Sequence, residues 1–304
     1  MERSGVANLP LHPGHAPRWL FKRMVTLSGE IIKVIEMEYG TEEVLRRLAD
    51  PYWFQAFSCV IGFDWHSSGT TTVTMGALKQ ALKPEDGIVV VGGKGTVSRK
   101  TPLEIDKIGD EFNISSRDID GIKYASRIAA KVDNAVLQDG YQLYHHTMVI
   151  DERGRWAIIQ QGMNEKRRYA RRYHWIYGIN NFVNEPRSGI ISDTLEKRVM
   201  DMSARKSEEA RKISVDLVKD NPRKMKGMIA EIKDRRQSTL DEFSGMKVLT
   251  MPWNINWSAL FKAYEIQPTN YEELIGIKGI GPSTVRALAY IAEIIYGAEV
   301  SWKD

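Results

Sequence analysis

"YQLYHHTMVIDERGRWAIIQQGM", residues 141–163, is the stretch on which the fold turns. Two runs rich in β-branched and aromatic residues, 141–151 and 155–163, flank the turn residues Glu152-Arg153-Gly154, a pattern that predicts a β-hairpin. Working outward, "SSRDIDGIKYASRIAAKVDNAVLQ" (115–138) reads as a helix capped by Ser115 or Ser116, and "DGIVVVGGKG" (86–95) as a strand running into a glycine loop. Nearer the N-terminus, Leu20, Met24, Leu27, Ile31 and Ile35 fall on one helical stripe. Thr41 then reads as the N-cap of a second helix, which Asp50-Pro51 ends. "WFQAFSCVIGF" (53–63) reads as a buried segment, and "TTTVTMGALKQAL" (70–82) as polar first and helical after.

Beyond the hairpin, residues 193–238 read as one or two long charged helices, broken near Asn221-Pro222, and a small helical unit runs from Met246 to the end. The expected fold class is therefore α+β. It comprises a mixed α/β N-terminal domain with a β-hairpin core (1–190), a charged helical arm (191–243) and a small all-α C-terminal domain (244–304).

Composition narrows the function classes. The chain has 304 residues, 42% of them hydrophobic, enough for real cores. No run approaches 18 apolar residues and the N-terminal stretch has no leader pattern, so a cytoplasmic protein without a membrane partner is expected. Cys59 is the only cysteine, which excludes an internal disulfide or thiolate cluster; in its apolar run it reads as a buried, inert thiol. Net charge is +4, concentrated rather than spread. Between Glu196 and Arg236 there are 13 Lys/Arg against 8 Asp/Glu, and five Lys/Arg crowd the span Lys166 to Arg172 with aromatics between and after them. Local surpluses of this kind suit a polyanion, although charged helical faces are commonly just solvated.

The C-terminal "ELIGIKGIGPSTVRALAYIAEIIYG" (273–297) has the helix-hairpin-helix pattern, and the unit reads as a DNA-backbone clamp. Gly279 and Gly281 permit positive φ and close backbone approach, and Pro282 suits the first turn of the next helix. Ile277, Ile280, Val285 and Leu288 hold the two helices together, while Lys278 and the free amides from Gly281 through Ser283 to Thr284 offer an anion site. A plain αα-turn is the alternative.

Five blocks, "LPLHPGHAPRWLF" (9–21), "DPYWFQAFSCVIGFDWHSSGTTT" (50–72), "GGKGTVSRKTP" (92–102), "LQDGYQLYHHTMVIDERGRWAIIQQGMN" (137–164) and "ARRYHW" (170–175), resemble a prokaryotic family of unknown function, DUF763, along essentially the whole chain. The resemblance implies DNA transactions through the helix-hairpin-helix tail and little else. Where relatives carry a basic residue this chain has His15, which counts against His15 as a ligand; relatives also tend to continue past "SWKD", which raises the expectation of a shortened form.

Asp64 and His66, two apart, and then Asp133, Asp139, His145, His146 and Gln161 form a pool from which a phosphodiester-cleaving site could be drawn. Such cleavage needs an activated water, stabilisation of the pentavalent oxygens and an acid for the leaving group. Asp64, His66, Asp133, His145, His146 and Gln161 are the catalytic candidates, with Asp64, His66 and Asp139 the ligands of a divalent Mg²⁺ or Mn²⁺. On a strand His145 and His146 face opposite ways, so one alone can enter the site. Ser67, Ser68 and Thr70 to Thr72 are candidate phosphate contacts. No single pair matches a known nuclease motif, and each residue alone reads equally as a structural hydrogen-bonding group.

Lys94, Arg99 and Lys100 sit in a glycine loop without P-loop spacing, so no nucleotide cofactor is expected; the loop is either phosphate-contacting or a plain connection. Arg167, Arg168 and Arg171 are expected at the surface as DNA contacts, and Tyr169, Tyr173, Trp175 and Tyr177, if helical, are core or base-stacking groups. The sequence thus points first to a metal-assisted, structure- or lesion-directed DNA endonuclease. The alternatives are a non-catalytic architectural protein of DNA repair or recombination, and a module for a phosphorylated small molecule. The charged arm offers a homodimer surface.

Overall fold

A computed structural model describes residues 3–6, 9–12, 15–63, 66–197, 199–239, 252 and 254–304. The chain divides into two compact units. The first takes residues 1–130, 140–180 and 186–195; the second takes 131–139, 181–185 and 196–304. The fold is α+β, as the hairpin and its helical flanks predict.

Numbered in chain order, the first unit holds β1 (Arg3–Val6), α1 (Arg18–Tyr39), α2 (Thr41–Leu48), α3 (Pro51–Val60), α4 (Ser68–Ala81), β2 (Ile88–Lys94), α5 (Thr101–Glu111), α6 (Ser116–Lys131), β4 (Gln142–Asp151), β5 (Trp156–Asn164), β6 (Tyr169–Ile176) and β7 (Gly189–Ser192). Its sheet runs β1-β7-β6-β5-β4-β2; β1 lies parallel to β7 and every other pair is antiparallel. The opening hairpin is β4–β5, at the sheet's centre. Asp151, fully buried, builds its turn by accepting from the amides of Arg153 (3.1 Å) and Arg155 (2.9 Å) and from the Arg155 guanidinium (2.8 Å).

Helices cover both faces of this sheet. On one, Met24 and Ile32 of α1, Leu45 and Leu48 of α2, Phe54 of α3 and Met75 and Leu78 of α4 pack on Ile88, Val90, Val149, Ala157 and Ile159. On the other lies α6, whose Ser126 reaches His146. Burial on both faces explains why Met148 to Ile150 of β4 and Trp156 to Ile159 of β5 are apolar without alternation. β4 also carries a bulge: Leu143 pairs with Gly162 but His145 with Gln161, leaving Tyr144 extra.

Several local expectations change. The buried line of α1 runs through Met24, Ser28, Gly29, Ile32 and Ile35, with Leu27 42% exposed, because small Ser28 and Gly29 let the helix close on α4, where a Cβ on Gly29 would meet Ala81 at 3.1 Å. Gly40 (φ 81°) is the cap of α2, freeing the Thr41 hydroxyl to donate to Asp151 (3.1 Å). Cys59 is exposed, on the outer side of α3, rather than buried. "YARRYHWI" is strand β6 and not a helix.

The second unit pairs β3 (Leu137–Gln138) antiparallel with β8 (Met200–Asp201) and adds α7 (Glu208–Lys219), α8 (Pro222–Thr239), α9 (Trp257–Ile266), α10 (Tyr271–Gly276) and α11 (Pro282–Ile294). Residues 193–207, read as helical, contain β8 and a short turn of 3₁₀ helix instead. The break near Asn221-Pro222 is present, between α7 and α8. α7 packs on α9, α10 and α11, burying Ala210, Val215, Leu217 and Val218. Among the described residues no helix is long and apolar enough to cross a membrane.

Candidate functional site

The first unit holds a polar network inside its apolar layer, centred on Arg172 of β6. This guanidinium is fully buried, lies 4.5 Å over the Phe54 ring, and donates to His174 Nε2 (2.9 Å), Thr71 Oγ1 (3.3 Å) and Gln55 Oε1 (3.0 Å). Among the described residues it has no carboxylate partner, and burial pushes its pKa down to about 9. Arginine only donates, so these bonds set the orientation of everything they touch. Gln55 turns its oxygen to Arg172 and its amide nitrogen to His66 Nδ1 (2.7 Å). Nδ1 therefore accepts, and the exposed His66 imidazole carries its proton on Nε2, facing solvent.

Gln161 is spent the same way. Its oxygen accepts from Thr71, and its nitrogen donates to the Ser68 carbonyl (2.8 Å) and to the Tyr144 hydroxyl. The bulge places Tyr144 on the Gln161 side of the sheet, beside His145, where strict alternation would separate them. Burial raises the Tyr144 phenol above its ordinary pKa.

His145 and His146 are both buried. His146 donates from Nδ1 to Gln160 (2.9 Å) and accepts at Nε2 from Ser126 (2.8 Å), so it is neutral and fully used. His145 is different. Its Nε2 lies 3.4 Å from Thr147 Oγ1, and among the described residues its Nδ1 has no hydrogen-bond partner. Desolvation, helped by His146 and Lys94, lowers its pKa to about 3. His145 and His146 both belong to the lining of a cleft of about 560 Å³, together with Arg99, Lys123, Arg127 and Tyr144.

His146 and His174 are likewise held below the ordinary histidine value by burial. All three folded-state values are depressed, so their stabilisation is complete above about pH 6.5 and is lost as pH falls towards the folded values. Each should steepen the acid loss by up to about 1.4 kcal/mol per pH unit. Urea unfolding of His146→Gln from pH 7 to 4.5 should show a slope shallower by about one proton; an unchanged slope would mean that His146 titrates alike folded and unfolded.

The metal set read from sequence falls partly in each unit and partly outside the described residues. Asp64 lies outside the described residues. Asp133 and Asp139, both buried, belong to the second unit. His66 already accepts at Nδ1 and keeps a proton on Nε2, the wrong state for a ligand. Among the described residues no three His, Cys, Asp or Glu side chains gather to hold an ion.

The basic candidates divide. Arg167 and Arg168 are exposed in the β5–β6 turn, and Lys94, Arg99 and Lys100 are exposed where β2 ends. Arg171, expected at the surface, is 1% exposed and lies 4.8 Å over the Tyr141 ring, because strand alternation turns it inward. Of the hydroxyls read as phosphate contacts, Ser67, Ser68, Thr70 and Thr71 are buried in the first turns of α4. The glycine loop also changes meaning. Gly92 N–H donates to Glu104 (2.7 Å) and its carbonyl accepts from Lys79 (2.7 Å), so Gly92 clips the strand to α4 and α5.

Sequence reasoning missed Gln55, Tyr144, Arg172, Lys123 and Arg127. The bulge at Tyr144 leaves no compositional trace, and α6 reads as an ordinary amphipathic helix whose outward cations carry no motif.

In the second unit a turn joins α10 to α11. Gly279 has φ 99°, and a Cβ there would lie 2.9 Å from both Ala259 Cβ and Asn256 Nδ2. Gly281 has φ −121°, extended backbone with open space, so the positive φ expected for it is absent. Ile277, Ile280, Val285 and Leu288 are buried as anticipated. Lys278 is exposed, Ser283 half-buried and bonded to Asn254 (2.8 Å), and the Thr284 side chain buried. No side chain caps α11, which starts at Pro282.

A mixed sheet with helices on both faces and a cationic cleft, followed in the chain by a helical unit with a tight glycine turn, defines the class as a two-unit α+β protein. The chain belongs to the family described as "Protein of unknown function (DUF763)", whose model matches residues 5–304. No curated protein and no solved structure matches it.

Proposed function

We propose that the protein binds DNA through its phosphate backbone, using the α10–α11 turn as a helix-hairpin-helix. The observation that carries this reading is the combination at residues 277–284. A left-handed Gly279 is wedged against α9, exposed Lys278 sits at the turn, and an uncapped helix start follows at Pro282. Amides and one lysine recognise phosphate, not base edges, so affinity is insensitive to sequence and sensitive to salt. Lys278→Gln, an exposed and fold-neutral change, should weaken duplex binding on every sequence. It should also lower the slope of log K against log salt by about 0.9, one phosphate contact. An unaltered slope and affinity would sink the reading.

Cleavage of the bound strand is the second reading, and His66 favours it. Its exposed Nε2–H, oriented through Gln55 by Arg172, can donate to a phosphate oxygen or leaving group. Labelled single-stranded, nicked, flap and mismatched DNAs, incubated with Mg²⁺, Mn²⁺ or EDTA, provide the assay. Products lost in His66→Ala would support cleavage. Intact DNA bound equally by both proteins would leave an architectural protein.

A further inference from the structure

The cleft beside β4 has a wall of one charge. Arg99 from the segment after β2, and Lys123 and Arg127 from α6, face it, and among the described residues no carboxylate lines it. Lys123 pairs with Asp106, which is not part of the wall. Among the described residues neither Arg99 nor Arg127 pairs with a carboxylate; Arg127 lies 5.6 Å over the Tyr124 ring. The start of α5, which no side chain caps, contributes Thr101 and Pro102 to the same wall. Leu143, Tyr144 and Ala130 supply an apolar part. His145, 2% exposed, belongs to the same lining, and among the described residues its Nδ1 has no hydrogen-bond partner. A buried ring nitrogen without a partner is a standing free-energy loss, and such groups concentrate where a ligand or water completes them.

Cations without counter-charges call for an anion of more than one negative charge, and the apolar side calls for a body attached to it. A volume of about 560 Å³ is that of a small-molecule site, far larger than inorganic phosphate needs. We propose that this cleft binds the phosphate monoester of a nucleotide, its phosphate between Arg99 and Arg127 and its base or sugar against Tyr144 and Leu143. The phosphate monoester has two possible sources, a free mononucleotide or the phosphorylated end of a DNA strand. The proposal is independent of the backbone grip at the α10–α11 turn.

The test is calorimetric titration of the full chain with dAMP, deoxyadenosine, and a short oligonucleotide with and without a 5′-phosphate. dAMP is expected to bind at least tenfold more tightly than deoxyadenosine. Arg127→Gln and Arg99→Gln, both at exposed positions, should each weaken dAMP about tenfold, whereas Lys278→Gln leaves dAMP unchanged. If the strand end is the source, the 5′-phosphorylated oligonucleotide exceeds its unphosphorylated twin in wild type, and Arg127→Gln erases the difference. If the free nucleotide is the source, dAMP binds and the two oligonucleotides do not differ. ¹⁵N resonances of the His145 ring should shift on adding dAMP, which charge at the mouth alone would not cause. Equal binding of dAMP and deoxyadenosine, no binding of either, or an unmoved His145 would overturn the proposal.

Discussion

Gly92→Ala is expected to destabilise the first unit by roughly 3–5 kcal/mol, enough to bring its unfolding into mild urea. Gly92 has φ 85° inside β2, and the added Cβ would stand 2.3 Å from the His146 carbonyl oxygen and 2.9 Å from Thr101 Oγ1. The first of these is backbone in the central hairpin and cannot swing away. Moving Gly92 would also break the clip in which Glu104 accepts its N–H, Lys79 donates to its carbonyl, and the two charged groups pair at 2.7 Å. Gly95→Ala is the control: φ there is also positive, at 60°, but the new Cβ meets nothing within 4 Å. It should lose only about 1 kcal/mol, the backbone strain alone. Similar losses in the two variants would show that the approach to His146 does not decide the matter.

Arg172→Met should lower stability by about 3 kcal/mol, the second large effect. Two terms oppose each other. A buried guanidinium without a carboxylate is itself unfavourable, and an apolar side chain of similar length removes that desolvation. It also strips donors from Gln55, Thr71 and His174, which remain buried. Three charge-assisted bonds of about 1.5–3 kcal/mol each outweigh the relief, because the acceptors were built for this donor. Urea unfolding measures the loss, and a variant as stable as wild type would reverse the ranking of the two terms. Two signatures separate this from simple loosening. With Arg172 gone, Gln55 is free to flip, so His66 should populate both tautomers by ¹⁵N NMR. His174 loses the neighbouring positive charge that helps to hold it neutral, so its pKa should rise.

The hairpin was legible because its signal is local: two β-rich runs and a turn whose Asp151 binds the amides just beyond it. The break before Pro222 and the apolar clamp of Ile277, Ile280, Val285 and Leu288 were legible for the same reason. The helical stripe of α1 misled because periodicity counts apolar side chains, while the close approach to α4 selects small ones, Ser28 and Gly29. Arg171 read as surface charge because arginine is seldom buried; here it lies on Tyr141, and Arg172, beside it in sequence, lies on Phe54 with neutral acceptors around it. The candidate site was legible as a set of residue types and not as an arrangement. Asp133 and Asp139 are near His145 in sequence yet fold into the other unit, whereas Gln55, His66 and Arg172, far apart in sequence, form one hydrogen-bonded line.

The division into units has a consequence for how the chain is made. The polypeptide passes from one unit to the other five times. During synthesis the first unit has all its strands once residue 192 has emerged, but by then residues 131–139 and 181–185 already exist as orphaned pieces of the second. Leu137 and Gln138 have no strand to pair with until Met200 and Asp201 follow, and the Gln138 side chain waits longer, for the Pro282 carbonyl and Arg286. The early unit must therefore fold while holding two segments in reserve. For the same reason no single cut in the gene yields both units whole: a fragment ending near residue 195 carries a complete sheet and two strips that belong elsewhere.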